Sequence, residues 1–491
     1  MGKKWLLLCI LIDIAAVGLI PLNSLYLHMP EFVTIFAAII ALVAAVIFII
    51  KSRSRKVAKA IVAVLAVLAS TVAILGSYCN PYWNSINFRS HVDYNSRAYD
   101  FRLSSNEAME DLNYAMKYLK KLHPALYNGT PEDINQQYEI IKNRIEEYND
   151  LSVNDLAREI QSVFSILKDG HTYVCGNYEE KILKYYNKWV NEGYEITAVN
   201  GIKIDDLLEQ KSSLYSFEVP SWERRLLLKS IVTEDGIDYL GFNIANGIEY
   251  TLTSKDGTVR NENCYLDDFI PWYEYVELYD SENTDTTEES FVRYEIDEEN
   301  SIVILHLDEC EYNSEYINTV RKMFEKVKDK NIKNVAVDLR FNGGGNSQVV
   351  NEFLKYFDID SYKTGSMGWR LGFLYLNMGN GIYSNEKYED LLFKGNLYLL
   401  TSTSTFSSAM MFAQYVKDNN IGTIIGEAPG NNPNGYGEVS CFMLPNSRLY
   451  MQISTKRFYR ADSKSTDELV YPDIECDSKN SMEELYRVIT E

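Results

Sequence analysis

Residues 399–413 read LLTSTSTFSSAMMFA, an apolar strand running into a Ser/Thr-rich turn with a helix directly behind it. The strand is GNLYLLTS, Gly395 to Ser402. In SSAMMFAQYVKDNN the apolar Ala409, Met410, Phe412, Ala413 and Val416 fall on one helical face. Ser407 is thereby expected in the first turn of that helix. Free backbone N–H groups there favour developing negative charge, so a tetrahedral oxyanion could be held beside its own nucleophile. The same residues also suit a plainer role, with Ser404, Thr405, Ser407 and Ser408 as helix caps.

Strand and helix alternate around this stretch. SIVILHL (301–307), the amphipathic SEYINTVRKMFEKVKDK (314–330), the apolar NVAVDLR (334–340), SQVVNEFLKYF (347–357), the 395–402 strand, the Ser407 helix and GTIIGE (422–427) follow one another. That order predicts βαβ units, a largely parallel sheet and an α/β fold. Gly343, Gly344 and Gly345 stand between the NVAVDLR strand and the next helix. A phosphate-cradling loop is one reading, but neither G-K-[ST] nor G-x-G-x-x-G is present. The other is a backbone that passes close to a reacting carbonyl and points an N–H at it.

N-terminal to this region, NEAMEDLNYAMKYLKKL, TPEDINQQYEIIKNRIEEYND and SVNDLAREIQSVFSIL predict three helices, with Thr130-Pro131 and Ser152 at helix starts. KDGHTYV (168–174) then places His171 after an Asp169-Gly170 turn, at the opening of a strand. Among the five histidines it has the best setting for chemistry: His28 and His91 lie in links, His123 ends a helix, and His306 sits inside a strand. Residues 172–276 alternate like strands, with a hairpin turning at Asp256-Gly257, and 277–300 read as an acidic linker. The expected division is a membrane anchor at 1–80, a stalk at 81–104, a helical domain at 105–168, a β-rich region at 169–276, the linker, and the α/β domain at 301–478.

The first 80 residues belong to a different solvent. Trp5 to Leu27, Phe32 to Ile50 and Val57 to Tyr78 are apolar runs near the roughly 20 residues that cross a bilayer, so three transmembrane helices are expected. Lys3 and Lys4 precede the first; Lys51, Arg53, Arg55, Lys56 and Lys59 separate the second from the third. The positive-inside rule puts the N-terminus in the cytoplasm and everything beyond Cys79 outside, at the cell membrane. Residues 1–80 carry +5 of a chain total of −21, which leaves −26 on the remainder. So acidic an exterior repels nucleic acid and anionic head groups. The seven cysteines are scattered, with no C-x-x-C pair and no histidine at ligand spacing, so no metal site is expected, and one or two disulfides are compatible with an exterior location.

DGHT (169–172), VDLRFNGGG (337–345), TFSSA (405–409), GTIIGE and YPD (471–473) occur here in the order found in the tail-specific protease, or C-terminal processing peptidase, family, which this chain resembles over about residues 105–476. The resemblance implies a ClpP/crotonase-like catalytic domain, and YEITAVNGIKIDDLL (194–208) looks like part of that family's PDZ-like insert. It implies Ser407 as nucleophile, and an oxyanion hole from Gly344 or Gly345 with the N–H of Ser408. The family's best-known branch takes its base from a lysine in a G-K-G, where this chain has Tyr436 in GEAPGNNPNGYGE. Branches without that lysine point to His171 as base, oriented by Glu468 or Asp467 near the late P-D, with Lys456 as a substitute base. The expectation is a membrane-anchored extracytoplasmic serine endopeptidase acting on polypeptides without a cofactor. Its alternatives are an inactive peptide-binding protein of the same fold and a hydrolase of a non-peptide ester or amide.

Overall fold

The computed structural model describes residues 2–23, 32–52, 55–89, 92–148, 150–279, 290–379 and 381–491. Helices α1 (Gly2–Leu22), α2 (Phe32–Lys51) and α3 (Lys56–Cys79) lead the chain. Three spans are expected; two are found among the described residues, Val33–Lys51 with mean hydropathy 3.2 and Lys56–Ala73 with 1.9. The first run does form a helix. That helix, 21 residues long, carries Lys3, Lys4 and Asp13 among its apolar residues. Cys9 of α1 is buried with Ala45, Phe48, Val62 and Ala66 of the other two helices. The link at 27–31 lies outside the described residues.

α4 (Ser105–Leu122), α5 (Glu132–Glu147) and α6 (Val153–Phe164) are the three expected helices. Ser104 and Ser152 each close a capping box, with Glu107 and Asp155 as the reciprocal partners. At α5 the structure shifts the start by one: Pro131 occupies the N-cap position and no side chain caps the helix.

After β1 (Tyr173–Cys175), the region from 176 to 279 is less purely β than its alternation predicts. β2 (Tyr194–Val199), β3 (Ile202–Lys203), β4 (Ile248–Ser254) and β5 (Val259–Cys264) make an antiparallel sheet in the order β3-β2-β4-β5, and α7 (Pro220–Ser230) and α8 (Trp272–Tyr279) accompany it. Trp189, Leu227, Ile231, Tyr250 and Leu252 form its own core. Of the expected acidic linker, 280–289 lie outside the described residues, while 277–279 belong to α8 and 292–297 to a strand.

The C-terminal part holds, in order, β6 (Val292–Asp297), β7 (Ile302–Leu307), α9 (Ser314–Asp329), β8 (Asn334–Asp338), α10 (Gln348–Leu354), β9 (Ser366–Leu371), β10 (Leu374–Met378), β11 (Asn396–Thr401), α11 (Ser408–Asp418), β12 (Thr423–Gly426), β13 (Tyr436–Met443), β14 (Tyr450–Tyr459), β15 (Ile474–Glu475) and α12 (Ser481–Thr490). Six strands form one sheet in the order β6-β7-β8-β11-β12-β15, parallel from β7 onward, with β6 antiparallel at the edge. Both faces of this sheet are covered, as continuous apolar strands require. Phe324, Phe353 and Phe412 from α9, α10 and α11 pack on one face; Leu485 from α12 packs on the other, against Ile304, Ala336, Leu400 and Ile425.

A second, antiparallel sheet runs β10-β9-β14-β13, and β1 joins it by pairing with β14. Its Phe442, Met451 and Ile453 share one core with Leu112, Leu119, Ile141 and Phe164, so α4 to α6 and this sheet are packed as a unit. Arg370 in β9 ties the two polar layers together: its guanidinium donates to the carbonyls of Lys120 and His123, each at 2.6 Å, and to that of Gly372 at 3.2 Å. Through β1 the DGHT turn is carried to the C-terminal sheets.

Candidate active site

The loops leaving β8 and β11 lie at the carboxyl end of the parallel strands, where open α/β sheets place their sites. After β11 the chain makes a turn whose serines and threonines bond inward. Thr405 N–H donates to Ser402 O at 2.9 Å, Thr405 Oγ1 donates to Leu339 O at 2.8 Å, and Ser402 Oγ donates to Arg340 O. Phe406 N–H donates to Asn342 O at 3.0 Å, which fastens the turn to the glycine loop.

These bonds deliver Ser407 to the N-cap position of α11, one residue before the expected first turn, with φ 54° and ψ −120° and no capping bond from its side chain. A non-glycine residue in that region stores about 1–3 kcal/mol, and a strained strand-to-helix turn is how α/β folds expose a serine hydroxyl. Ser407 N–H donates to Asn431 Oδ1 at 2.8 Å. Its neighbour Ser408 donates from Oγ to Gly345 O at 2.7 Å.

The glycine loop is built to the same end. Asn342, fully buried, donates from Nδ2 to Leu307 O and accepts the Gly344 N–H on Oδ1, both at 2.8 Å. Cys310 N–H donates to Gly344 O at 2.9 Å and Asn346 N–H to Cys310 O at 2.6 Å. A Cβ on Gly344 would lie 2.6 Å from Ser407 Cβ, so the loop touches the serine and only glycine fits there. This separates the two glycines left open by the sequence. The Gly344 N–H is engaged by Asn342, whereas among the described residues neither the Gly345 N–H nor the Ser408 N–H has a hydrogen-bond partner.

His171 is buried, its ring 4.7 Å from that of Phe406, the residue before Ser407. Trp222 from α7 stacks on the other side of Phe406 at 4.3 Å. A Cβ at Gly437 would come 3.8 Å from His171 Nε2, and neither ring nitrogen of His171 has a hydrogen bond. Asp169 anchors the turn: its Oδ1 accepts the His171 N–H at 2.9 Å, and its Oδ2 accepts Thr172 Oγ1 at 2.6 Å and His123 Nε2 at 3.1 Å. His123 Nδ1 accepts from Ala125 N–H, which leaves its proton on Nε2.

Two carboxyl groups thus flank the imidazole, Asp169, 3.7 Å from Nδ1, and Glu218, and one polar atom from each of the three side chains lies within 4.8 Å of the others. Burial works against the Asp169 charge, yet the His123 hydrogen bond and nearby His171 overcome it and hold this carboxyl far below the usual range. Glu218 behaves oppositely. Burial first, and the Asp169 charge second, push its carboxyl up to about 7. Its Oε2 accepts Asn432 N–H at 2.6 Å and its Oε1 is unpartnered.

The structure does not bring Glu468 or Asp467 to His171. Both are exposed and neither bonds to it, because the loop after β14 is held away by Arg460, which donates to Asp467 O and Leu469 O while paired with Asp418. Lys456 is ion-paired with Glu438 at 2.9 Å and lies over the Trp369 ring. Tyr436 stacks near His123. All seven cysteines are free, so none of the disulfides that an exterior location would allow is formed. Sequence reasoning treated Asp169 as a turn residue although it stands in DGHT itself, and it missed His123, Glu218, Asn342 and Asn431. Only Asn342 and Asp169 had a signal, as neighbours of motifs.

Residues 301–476 match the profile of Peptidase family S41. No curated protein matches the chain. Among solved structures, mature CPAF complexed with lactacystin shares the fold at TM-score 0.54 and 11% identity, over 79% of this chain and 97% of its own. A mutant form of CPAF gives 0.55, likewise at 11% identity, over 79% and 96%. The photosystem II D1 C-terminal processing protease covers 78% and 97% at 11% identity, with a TM-score of 0.43. Residues 301–476, which hold the parallel sheet, the glycine loop and the strained serine turn, carry a peptidase family S41 domain, the family of tail-specific or C-terminal processing peptidases.

Proposed function

We propose that this protein is a serine endopeptidase in which Ser407 is the nucleophile, His171 the base, and the N–H groups of Gly345 and Ser408 the oxyanion hole. The observation that carries the reading is the strained Ser407 turn with two unpartnered backbone N–H groups beside it. Ser407 Oγ attacks the scissile carbonyl and gives its proton to His171. The carbonyl oxygen, now negative, is held by the two N–H groups, which need no reorganisation. His171 passes the proton to the leaving amine, and water resolves the acyl-enzyme by the same route. Asp169 and Glu218, rather than Glu468, are the acids placed to steady the imidazolium.

The substrate in this reading is polypeptide, consistent with the family. The strand-turn-strand-helix of YEITAVNGIKIDDLL supports a PDZ-like role in seating an extended chain. α2 and α3 are read as two membrane spans; the basic residues between them put that link in the cytoplasm and everything after Cys79 outside. One observation favours a binding protein without turnover: no acid hydrogen-bonds the His171 ring. A fluorophosphonate probe decides between them. Labelling of the wild-type chain, lost in Ser407→Ala, supports the enzyme; a wild-type chain left unlabelled and inert on unstructured polypeptides overturns it.

A further inference from the structure

The β9–β10 hairpin has two unlike faces. Its cross-strand pairs Leu371–Leu374, Trp369–Leu376 and Met367–Met378 put six apolar side chains on one face, while Arg370–Tyr375 and Gly368–Asn377 make the other. On the polar side Gly368 is buried, Tyr375 is half-buried, and Arg370 is buried on the carbonyls of α4. The β9 part of the apolar face is half-buried, with Lys456 Nζ 4.7 Å from the Trp369 ring, whereas the β10 part and the turn are open. Leu374 is 41%, Leu376 44% and Met378 42% exposed, and Phe373 at the turn is 48% exposed. β10 is also the edge of its sheet, a position that natural proteins normally blunt with charge.

The place of this hairpin supplies its occupant. Its turn sits on the end of α3: a Cβ on Gly372 would lie 2.5 Å from Tyr78 O, and the Tyr78 and Phe373 rings are 5.7 Å apart. Trp83, just beyond α3, is buried with Ala38 and Ala73 of the apolar helices. Lys121 Nζ stands 5.7 Å from the Tyr78 ring. Exposed aromatic and aliphatic residues with a lysine, at the level where an apolar helix ends, match the composition of a bilayer interface.

We propose that the apolar face of the β9–β10 hairpin lies in the boundary between head groups and acyl chains of the bilayer that α2 and α3 cross. It is a second membrane contact, made by the folded domain itself. The inference rests on the two-span reading above. A contiguous apolar face of this kind, rimmed by polar groups, marks an interaction site, and interfacial elements bury such faces about 5–10 Å deep.

The test uses the full chain in nanodiscs of phosphatidylcholine doped with a diazirine phosphatidylcholine, with photo-adducts mapped by mass spectrometry. Adducts are expected on α2, α3 and residues 367–378. In a Leu374→Ser, Leu376→Ser, Met378→Ser variant those on the hairpin should be lost while those on α2 and α3 persist. Adducts on α2 and α3 with none on the hairpin overturn the inference and leave the two-span reading standing. Hairpin adducts unchanged in the variant also overturn it. A chain without adducts on α2 and α3 loses the span reading, and this inference with it.

Discussion

The serine side and the histidine side of the site are held in different ways. Around Ser407 and Gly344 nearly every backbone group is tied: to Asn342, Asn431, Leu339, Arg340 and Cys310, all by hydrogen bonds between 2.6 and 3.0 Å or by the shorter Ser402 bond. The two N–H groups left over are those that would meet an oxyanion. His171 has its backbone fixed by Asp169, but its ring is held by stacking and burial, with both nitrogens open. One half is preorganised by bonds, the other by shape. Electrostatic stabilisation needs fixed dipoles, whereas a base must give and take a proton and so needs one nitrogen free to face the serine.

The largest expected effect tests whether the two halves work as one unit. Ser407→Ala and His171→Ala should each lower peptide turnover by at least about 10⁴-fold, and the double variant should be scarcely worse. Multiplied losses in steady-state kinetics would show that the halves act separately. Next, Gly345→Ala should cost about 10²–10³-fold in kcat by disturbing an oxyanion donor, since the residue has φ 134° and its Cβ would strike the Cys310 carbonyl. An unchanged kcat would assign the hole elsewhere. Asn342→Ala belongs to the bonded half and should appear as instability: leaving the buried Gly344 N–H and Leu307 carbonyl unpaired costs about 1–3 kcal/mol for each group, measurable by denaturant unfolding of the extracted chain.

The histidine half is sharpened by pH. Glu218 titrates near 7, above the ordinary carboxylate value, so it is protonated in the folded chain where the unfolded chain has already lost its proton. The stability it contributes is present at low pH and is lost as pH rises from the unfolded value through about 7. Glu218→Gln should therefore gain in melting temperature over the wild-type chain between pH 5 and 8, and it should flatten any rise in turnover near pH 7. A difference that stays constant over that range would remove Glu218 from the proton balance of the site. The smallest effect is expected at Glu468: an exposed side chain without a bond to the site should change stability by no more than about 0.5 kcal/mol on removal, and Glu468→Ala should keep its turnover.

What was legible in the sequence follows the range of the interactions. The order of β7, β8, β11 and β12 and their helices could be read because apolar periodicity is local. The serine turn was visible for the same reason, although the helix behind it was placed one residue early, since a strained φ leaves no compositional mark. Asp169 stood in the DGHT motif, but the second acid beside His171 and the residue that anchors Asp169 were not legible. Glu218 and His123 lie 47 and 48 residues from His171 in sequence and arrive through the packing of α7 and α4, and no spacing rule encodes that. Glu468 was favoured by its place near YPD, but the Arg460–Asp418 pair, buried and equally unsignalled, holds its loop away.

Arg370 has a mechanical consequence. Two of its donor bonds clamp the hairpin to the carbonyl end of α4 while the third stays within the hairpin at Gly372, and His123, whose carbonyl takes one of the two, is the residue whose ring holds Asp169. Two 2.6 Å bonds from one planar guanidinium hold strand and helix end together at a single point. A displacement of the hairpin is therefore passed first to the helix end that anchors the Asp169 turn, while the serine turn hangs from β8 and β11 in the other sheet.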